Sequence, residues 1–374
     1  MILLLQIIAV LLIIPSVFHW LRCVLSDPKA QFPNFTNQKL GNIAILLPMR
    51  NEEFNARSKI LRVIEEIGNR ESVKIIVIDS DSRDETSDIA SKTLGESKFP
   101  EKNWQLFHAE KPGKSHAINL ALSKIKSDFF VIMDTDSVAE SGWLSRIIGP
   151  FADSEVGVVS GMEKAVLPSP NSHRGAYRAA SDKIRIFESS LDSTMVTEGS
   201  LFSWRSSALG DFTLNESING DDAQITFAVI RNGFRSIVAP ELFFIDENPS
   251  KNWSRRSIRR SQGLSRVIIR NIDLIFVAPR TKARIYILHS FLLYIIFPWA
   301  MAILISTQIA TLILSNGSSM TGPLAALTLL PLILLKSGRS AVWGSLISIT
   351  AHLQILLGRT YEYWDPERPV GRKN

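Results

Sequence analysis

The sequence predicts an α/β fold, a mostly parallel sheet flanked by helices, with transmembrane helices towards both ends of the chain. Short β-rich runs alternate with helical patterns from residue 42 onward, which is typical of a parallel sheet covered by helices on both faces. Uncharged aliphatic runs flank this alternation, over residues 1–21 and 285–314. Both runs reach the roughly 20 apolar residues that a membrane-spanning helix needs. The 374 residues suffice for one sizeable domain plus such additional segments.

Four strands are predicted in the first half of the chain, each with a polar cluster at its carboxyl end. Ligands of parallel sheets bind outside the carboxyl ends of the strands, so the clusters "PMRNEE", "DSDSRDET", "AEKPGKSH" and "DTDS" predict one shared site. The strands are "NIAILLP" (42–48), "KIIVID" (74–79), "WQLFHA" (104–109) and "DFFVIMD" (128–134), with helices at 57–67, along "SDIASKTLG" to Gly95, and along "KSHAINLALSKI".

The N-terminal apolar run reads as a membrane anchor rather than a cleaved signal peptide. It has no basic n-region, it exceeds a usual h-region, and no small-x-small cleavage site precedes Arg22. The second run either bends at Pro298 or forms one tilted span. Two shorter runs, 321–335 and 341–357, are marginal in length.

Charge predicts the orientation in the membrane. The net charge is +6, and six arginines lie just before the second apolar run, which favours a cytoplasmic position for residues 22–284 beside anionic head groups. The expected location is therefore the cell membrane, multi-pass, with the side of the C-terminal tail left open. A basic stripe with interleaved aromatic residues is missing from the soluble part, so a nucleic-acid partner is not expected. The arginines are Arg255, Arg256, Arg259, Arg260, Arg266 and Arg270.

Cysteine content and glycine motifs exclude several classes of protein. Cys23 is the only cysteine, so neither a disulfide framework nor a cysteine metal site is expected. No Gly-x-Gly-x-x-Gly and no Walker lysine loop follows a predicted strand, which disfavours dinucleotide enzymes and P-loop NTPases. The expected domains are an anchor (1–25), a catalytic domain (40–250), a basic interfacial helix (251–284), C-terminal transmembrane helices (285–358) and a polar tail (359–374).

Asp134 and Asp136 follow the fourth predicted strand, separated by Thr135. A turn here would bring both carboxylates to one hard cation, Mg²⁺ or Mn²⁺, which binds few carboxylates plus diphosphate oxygens. The alternative is a solvated Asx-turn. The position after a buried strand in an α/β pattern favours the metal.

Three further groups point to a phosphate and a nucleoside. Lys114 follows a Pro-Gly turn and opens a helix, a position that suits a phosphate, although a surface lysine beside a turn would read the same way. Asp79 ends a strand, where it can accept hydrogen bonds from a base or ribose. Arg50, Asn51 and Glu52 either line the same pocket or cap a helix, and Asp81 and Asp84 either join them or cap the next helix.

Asp221 and Asp222 open a later amphipathic helix, after Gly220. One carboxylate at a helix N-terminus is ordinary capping. A second, in a chain that already has a metal candidate, predicts a general base, which must stay ionised and reach an acceptor hydroxyl.

These motifs, taken in order, resemble the family 2 glycosyltransferases, inverting enzymes of the GT-A fold. "LLPMRNEE" matches the family's strand followed by Pro-x-x-Asn-Glu, and "VIDSDSRDET" is similar to Val-Asp-Asp-Gly-Ser-x-Asp-x-Thr. "GKSHAIN" resembles Gly-Lys-x-x-Ala-Leu-Asn, and "VIMDTDS" resembles the metal-binding Asp-x-Asp. "EGSLFSWRSSAL" and "GDDAQITFAVIRNGFR" are similar to the acceptor-side segment and to Glu-Asp…Gly-Tyr-Arg. The resemblance covers about residues 41–275.

The resemblance implies transfer of a sugar from a nucleotide-diphosphate donor to an acceptor hydroxyl. Asp222 would be the catalytic base, and Asp136 with Asp134 would hold Mn²⁺ or Mg²⁺. Asp79 would bind the base of the donor, and Lys114 its uracil or phosphate region. The implied donor-binding residues are Pro48, Arg50, Asn51, Glu52, Asp79, Asp81, Lys114, Asp134, Thr135, Asp136 and Arg259, and those on the acceptor side are Glu198, Gly199 and Asp221.

One motif departs from the family. Membrane-bound processive members carry Gln-x-x-Arg-Trp before a glycine, and this chain has Arg256, Arg259 and Arg260 in that register before Gly263. Arg259 matches the diphosphate contact, whereas arginines replace the glutamine and the tryptophan. The departure favours single transfer to a membrane lipid or lipid-linked glycan over processive polysaccharide synthesis, which stays the alternative within the family.

Two other classes fit less well. A nucleotidyltransferase would carry a glycine-rich phosphate loop after the first strand, and "LLPMRNEE" has no glycine. A transporter usually has more polar residues within its spans, where this chain offers His289 and Gln308. A membrane scaffold whose α/β domain only binds nucleotide remains the alternative from a different class.

Overall fold

The computed structural model describes residues 1–26, 41–164, 173–246, 253–314 and 329–361. The chain forms two units. The first, called the sheet unit below, comprises residues 31–164, 196–256 and 361–374, and the second, called the helical unit, comprises residues 1–30, 165–195 and 257–360. The sheet unit leaves out residues 165–195 of the predicted catalytic domain, 40–250, and it extends beyond both ends of that range.

The sheet unit is built on one mixed sheet whose eight described strands run in the order β3-β2-β1-β4-β7-β6-β8-β5. β3, β2, β1 and β4 are parallel to one another, as predicted, whereas β7 is antiparallel to both β4 and β6. β8 is parallel to β6, and β5 is antiparallel to β8. The strands are β1 (Ile43–Met49), β2 (Val73–Asp79), β3 (Trp104–His108), β4 (Phe129–Met133), β5 (Ser137–Ala139), β6 (Val156–Glu163), β7 (Leu201–Arg205) and β8 (Arg235–Asp246).

Helices cover both faces of this sheet and bury two apolar cores. On one face Ile45 and Leu47 pack in a cluster with Ile60 and Val63, and on the other Leu46 packs in a cluster with α4 and α8 residues. Side chains alternate along a strand, so the continuous apolar runs of β1 and β2 serve both cores, which is why they lack the alternation of a half-exposed strand. The helices of this unit are α2 (Ala56–Ile67), α3 (Thr86–Glu96), α4 (Lys114–Lys124), α5 (Trp143–Ile148), α7 (Ser206–Leu209) and α8 (Asp221–Arg231).

The topology brings the carboxyl ends of β1, β2, β3, β4 and β8 and the start of β7 to a single edge. β1, β2, β3 and β4 are parallel, so their carboxyl ends lie side by side. β7 is antiparallel to β4, with Leu201 opposite Met133, so the residues just before β7 meet the residues just after β4. Asp246, at the end of β8, lies opposite Ser137 of β5 and reaches the same edge.

The helical unit contains the helices whose sequences are long and apolar enough to cross a membrane, Ile2–Leu25 and the continuous stretch Thr281–Leu314. Proline cannot donate to the preceding turn, and before Pro298 the backbone widens into a π-turn, Leu292–Ile296. The helices of this unit are α1 (Ile2–Leu25), α6 (His173–Leu191), α9 (Trp253–Arg270), α10 (Leu274–Val277), α11 (Thr281–Phe291), α12 (Phe297–Leu314), α13 (329–334) and α14 (Lys336–Leu356). The first residues of α9, up to 256, belong to the sheet unit.

Polar side chains on these apolar helices bond to one another. Gln6 Nε2 of α1 lies 3.4 Å from Gln308 Oε1 of α12. His19 Nε2 lies 3.0 Å from Glu188 Oε1 of α6. The centroid of the His19 ring lies 3.9 Å from the centroid of the His289 ring. The two polar residues that stand out in the second apolar run therefore both contact α1.

The predicted strands and helices of the first half are confirmed close to their predicted bounds. The marginal run 341–357 forms α14, which is not among the described helices that are long and apolar enough to cross a membrane. Most of the run 321–335, and of the tail 359–374, lies outside the described residues.

Candidate active site

The turn after β4 is joined to the start of β7. Asp134 N donates to Ser200 O at 3.1 Å, and Ser200 Oγ donates to Asp134 Oδ2 at 2.9 Å. The other carboxylate oxygen of Asp134, Oδ1, lies 2.7 Å from Lys114 Nζ. Asp134 therefore has both oxygens bonded within the protein. Burial disfavours its charged form, but Lys114 outweighs this and lowers the pKa of Asp134.

Lys114 connects the Asp134 turn to the start of α8. Its ammonium donates to Gly199 O at 3.0 Å. It also lies 3.2 Å from Asp221 Oδ2, a contact that is an ion pair but not a hydrogen bond. Burial acts against the ammonium, but the carboxylates of Asp134 and Asp221 prevail and raise the pKa of Lys114. One lysine thus links three motifs that are far apart in sequence.

Asp222 is partly exposed in the first turn of α8, where the helix dipole favours a carboxylate. The helix starts sharply because Gly220 adopts φ 106°, a conformation that favours glycine. Burial is the largest cause that raises the pKa of Asp222 to about 7, and the neighbouring charge of Asp221 adds to it. Lys114 acts in the opposite direction. A carboxylate with a pKa near 7 is suited to general-base work.

Gly199 leaves the space that Asp222 occupies. A Cβ on Gly199 would lie 3.3 Å from Asp222 Cγ and 3.4 Å from its Cβ. The Gly199 carbonyl meanwhile accepts from Lys114. The backbone at this position therefore separates the lysine from the candidate base, and a side chain there would press on Asp222.

Asp136 differs from Asp134 because it makes no hydrogen bond or ion pair within the described part of the chain. Burial and the negative charges of Asp134 and Asp246 raise its pKa to about 6. A carboxylate held among like charges, without a hydrogen-bond donor of its own, suits a hard cation. Among the described residues no three side chains of His, Cys, Asp or Glu converge to enclose a metal ion, so oxygens from a bound ligand would have to complete the coordination.

Asp79 lies at the end of β2, and 7% of its surface is exposed. Its Oδ1 is buried and accepts no hydrogen bond in the described structure, and its Oδ2 lies 3.7 Å from Nδ1 of the exposed His108. A carboxylate without a hydrogen-bond donor, at the edge where the strands end, is consistent with the predicted contact to a base or ribose.

The polar residues after β1 mostly bond to the loop after β2. Asn51 adopts φ 51°, its N donates to Ser82 Oγ at 3.0 Å, and its Oδ1 accepts from Arg83 N at 2.9 Å. Glu52 N donates to Thr86 Oγ1. Asn51 and Glu52 therefore use their backbone groups, and Asn51 also its side chain, to join the loops after β1 and β2. Their role towards a donor stays a prediction.

The remaining predicted donor residues lie at the same edge, with one exception. Pro48 O accepts from Thr135 Oγ1 at 3.5 Å, which ties β1 to the Asp134 turn. Arg50 directly follows β1, and Asp81 adopts φ 57° in the loop after β2. Arg259 lies on the part of α9 that belongs to the helical unit.

Two groups of residues near the site were missed from the sequence. Ser200 holds Asp134, and Glu216 accepts from His116 and Asn119 of α4 at 2.9 and 3.1 Å. The ion pair of Glu216 with Lys111, at 2.7 Å, lowers the pKa of Glu216 to about 2. Neither Ser200 nor Glu216 has a sequence signal, since the position of each depends on where a loop returns to the sheet.

The second missed group surrounds Asp136. Lys59 of α2 is 2% exposed, and its Nζ donates to Ser137 O at 2.5 Å. Arg256 forms an ion pair with Asp246. Lys59 did carry a signal, because it occupies a buried position on the apolar side of α2, where an unpaired lysine is rare.

A conserved-domain match places the chain in a family. The model of the glycosyltransferase-like family 2 matches residues 45–263, more than half of the chain, and the chain belongs to this family. The matched range covers the sheet unit from β1 through β8 and the first part of α9.

Two relatives support this assignment. The chain is 21% identical over 283 residues to the probable glycosyltransferase YdaM of Bacillus subtilis (strain 168), an alignment that covers 70% of this chain and 64% of YdaM. The chain thus spans less than two thirds of that relative's length. The solved structure of the mannosyltransferase PcManGT from Pyrobaculum calidifontis, in complex with GDP-Man and Mn²⁺, superposes with a TM-score of 0.78 at 21% identity. The superposition covers 95% of this chain and 99% of the other, and it shows that the two chains share the GT-A fold.

Proposed function

We propose that the protein is a membrane-anchored, inverting glycosyltransferase that moves a sugar from a nucleotide-diphosphate sugar to a lipid or lipid-linked glycan. The observation that carries the proposal is the contact of Lys114 with Asp134 on one side and Asp221 on the other, at 2.7 and 3.2 Å. It joins a predicted donor motif to the predicted acceptor-side helix at the edge where such sheets bind ligands.

The donor would lie along the carboxyl ends of β1, β2 and β4. Asp79 would accept hydrogen bonds from the base or ribose, and Lys114 would bind near the phosphates. Membership in the glycosyltransferase-like family 2 supports a nucleotide-sugar donor, as does the GDP-Man in the structure of the mannosyltransferase PcManGT.

Asp136 would be the principal ligand of Mn²⁺ or Mg²⁺, with Asp134 beside it. When bound, such an ion offsets the negative charge on the leaving diphosphate. Because Lys114 and Ser200 already bond both oxygens of Asp134, Asp136 is the carboxylate available to the ion. Mn²⁺ in the structure of PcManGT supports this choice of cofactor.

Asp222 would take the proton from the acceptor hydroxyl. The hydroxyl oxygen would attack the anomeric carbon from the face opposite the leaving diphosphate, which inverts the configuration there. A pKa of about 7 lets Asp222 be ionised in a large fraction of molecules near neutral pH and still hold a proton afterwards.

A membrane acceptor is supported by the two apolar helices of the helical unit. Ile2–Leu25 and Thr281–Leu314 are long and apolar enough to span a bilayer, and the exposed arginines of α9, Arg255, Arg260 and Arg270, suit anionic head groups on the cytoplasmic side. The replacement of the family's tryptophan by Arg260 favours single transfer over polymer synthesis, since a stacking platform for a terminal sugar is missing at that position.

The test is a donor and acceptor screen with the full-length protein in detergent and Mn²⁺. GDP-mannose and UDP-sugars are offered with polyprenyl phosphates and with lipid-linked glycans. We expect release of a nucleoside diphosphate and a product of inverted anomeric configuration by NMR. Release of pyrophosphate would instead indicate a nucleotidyltransferase, products of increasing length a polymer synthase, and tight donor binding without turnover a scaffold.

A further inference from the structure

Lys59 occupies a core position of α2. The buried residues of this helix are Ala56, Lys59, Ile60, Val63 and Ile67, so the lysine lies on the side that faces the sheet. A buried ammonium is costly unless it is paired and hydrogen-bonded. Its partners therefore account for its place in the core.

One partner of Lys59 is the turn that carries the two site aspartates. Lys59 Nζ lies 2.5 Å from Ser137 O and 3.4 Å from Ser137 Oγ. Ser137 directly follows Asp136, and its Oγ donates to Asp134 O at 2.8 Å. Lys59 thus holds the turn at its base and places a positive charge next to Asp136.

Arg256 supplies a second positive charge at the same place. It forms an ion pair with Asp246, the residue opposite Ser137 in the β5–β8 pairing. Against burial, which raises the pKa of Asp136, both Arg256 and Lys59 lower it. Both cations are therefore near enough to Asp136 to act on its charge.

These contacts offset part of the negative charge that Asp134 and Asp246 place around Asp136. Asp134 is paired with Lys114, and Asp246 is paired with Arg256. Asp136 is open, but it has Lys59 behind its turn, and the described residues form no three-ligand cage. A divalent ion without its own oxygen ligands would meet one open carboxylate, beside two acids that are already paired with cations.

We propose that Lys59, assisted by Arg256, is a positioning residue that weakens the hold of Asp136 on a free divalent cation, so that the cation is retained only together with the diphosphate of the donor. The diphosphate supplies both the missing oxygen ligands and the negative charge that Lys59 and Arg256 favour. The proposal rests on the function proposed above, and it assigns Lys59 no contact with the sugar or the acceptor.

The test is a titration of Mn²⁺ followed by electron paramagnetic resonance at about pH 8, where Asp136 is ionised. Wild-type protein and Lys59→Met are compared with Mn²⁺ alone and with Mn²⁺ plus GDP or UDP. We expect Lys59→Met to bind Mn²⁺ alone about three- to tenfold more tightly. The strengthening of Mn²⁺ binding by the diphosphate should become smaller in this variant. A lysine that only supported the fold would give the opposite result, because its loss would weaken binding.

Three variants complete the design. Lys59→Arg keeps the charge and should bind as the wild type does. Lys92→Met, on the exposed surface of α3, makes the same chemical change away from the site and should also have no effect. Arg256→Gln removes the second charge from a helix start and should tighten the binding of free Mn²⁺, which keeps the test decisive if Lys59→Met does not fold.

Equal or weaker binding of free Mn²⁺ by the folded neutral variants would overturn the inference. A different result would overturn the proposed function instead, namely wild-type protein that binds no Mn²⁺ even with GDP and UDP, or Asp136→Asn that binds it unchanged.

Discussion

The loops after β1 and β2 and the turn after β4 lie at the same edge of the sheet, yet their carboxylates have different partners. Asp84 accepts hydrogen bonds from the backbone of Glu53 and Thr86. Asp134, by contrast, is bonded to the ammonium of Lys114, which also contacts the start of α8. One region uses its acids to join loops, and the other brings acids together with a partly buried lysine.

The difference shows how polar motifs that look alike in sequence can be separated. In the second region, burial and neighbouring carboxylates raise the pKa values of Asp136 and Asp222 to about 6 and about 7. Perturbed carboxylates cluster at functional sites. The chemistry is therefore expected on the side of β4, β7 and α8, with the loops after β1 and β2 as the rigid support.

The largest effect is expected for Asp222→Asn. An amide cannot take a proton from the acceptor hydroxyl, so kcat should fall about a thousandfold, with the donor KM little changed. Initial rates of nucleoside diphosphate release measure this. Asp211→Asn, a matched change at an exposed position, should have full activity, and full activity of Asp222→Asn would refute the assignment of the base.

Lys114→Met should have the next largest effect. Its loss leaves the carboxylates of Asp134 and Asp221 without their shared cation, and truncating one partner of a partly buried charge pair should lower kcat/KM about 30- to 100-fold. Lys111→Met is the matched control on the same loop, because Lys111 pairs with Glu216 and is mostly exposed. Similar losses in both variants would contradict a special role for Lys114.

The pH dependence of kcat/KM should follow the ionisation of Asp222. The base works only when deprotonated, so activity should be half-maximal near pH 7 and fall about tenfold per pH unit well below it. Lys114 lowers the pKa of Asp222, so Lys114→Met should shift the profile to higher pH. An unshifted profile would mean that another group controls the rate.

The smallest effect on activity is expected in the supporting loops. Asp84→Ala removes acceptors for the backbone N–H groups of Glu53 and Thr86 and should lower the free energy of unfolding by about 1–2 kcal/mol. Thermal denaturation measures this, with Glu65→Ala at an exposed position of α2 as the control. A large loss of kcat at unchanged stability would contradict this assignment, because it would place the chemistry in the loops after β1 and β2.

The sequence predicted the parallel half of the sheet because local signals suffice there. The apolar runs of β1, β2 and β4, and the helical patterns after β1 and β2, can be recognised from the sequence alone. The mixed half depends on long-range pairing, such as Leu201 opposite Met133, for which a single sequence has no periodic signal. α6 was not separated from the catalytic domain for the same reason, since its partners α1 and α14 lie far away along the chain.

The candidate site shows the same division. The aspartates were found because they follow strands or open a helix, and Lys114 because it follows a Pro-Gly turn. Ser200 and Arg256 were missed because their positions depend on strand β7 and on the Asp246 ion pair. Lys59 could have been found as a charged residue on the apolar side of an amphipathic helix.

The apolar surface of α1 has a practical consequence for work with the protein. Leu3, Leu4, Leu11 and Ile14 are 52–68% exposed, and in water such a surface drives copies of the chain to aggregate. Extraction therefore calls for a detergent micelle or a nanodisc from the first purification step. Kinetic constants measured without either would describe aggregated protein.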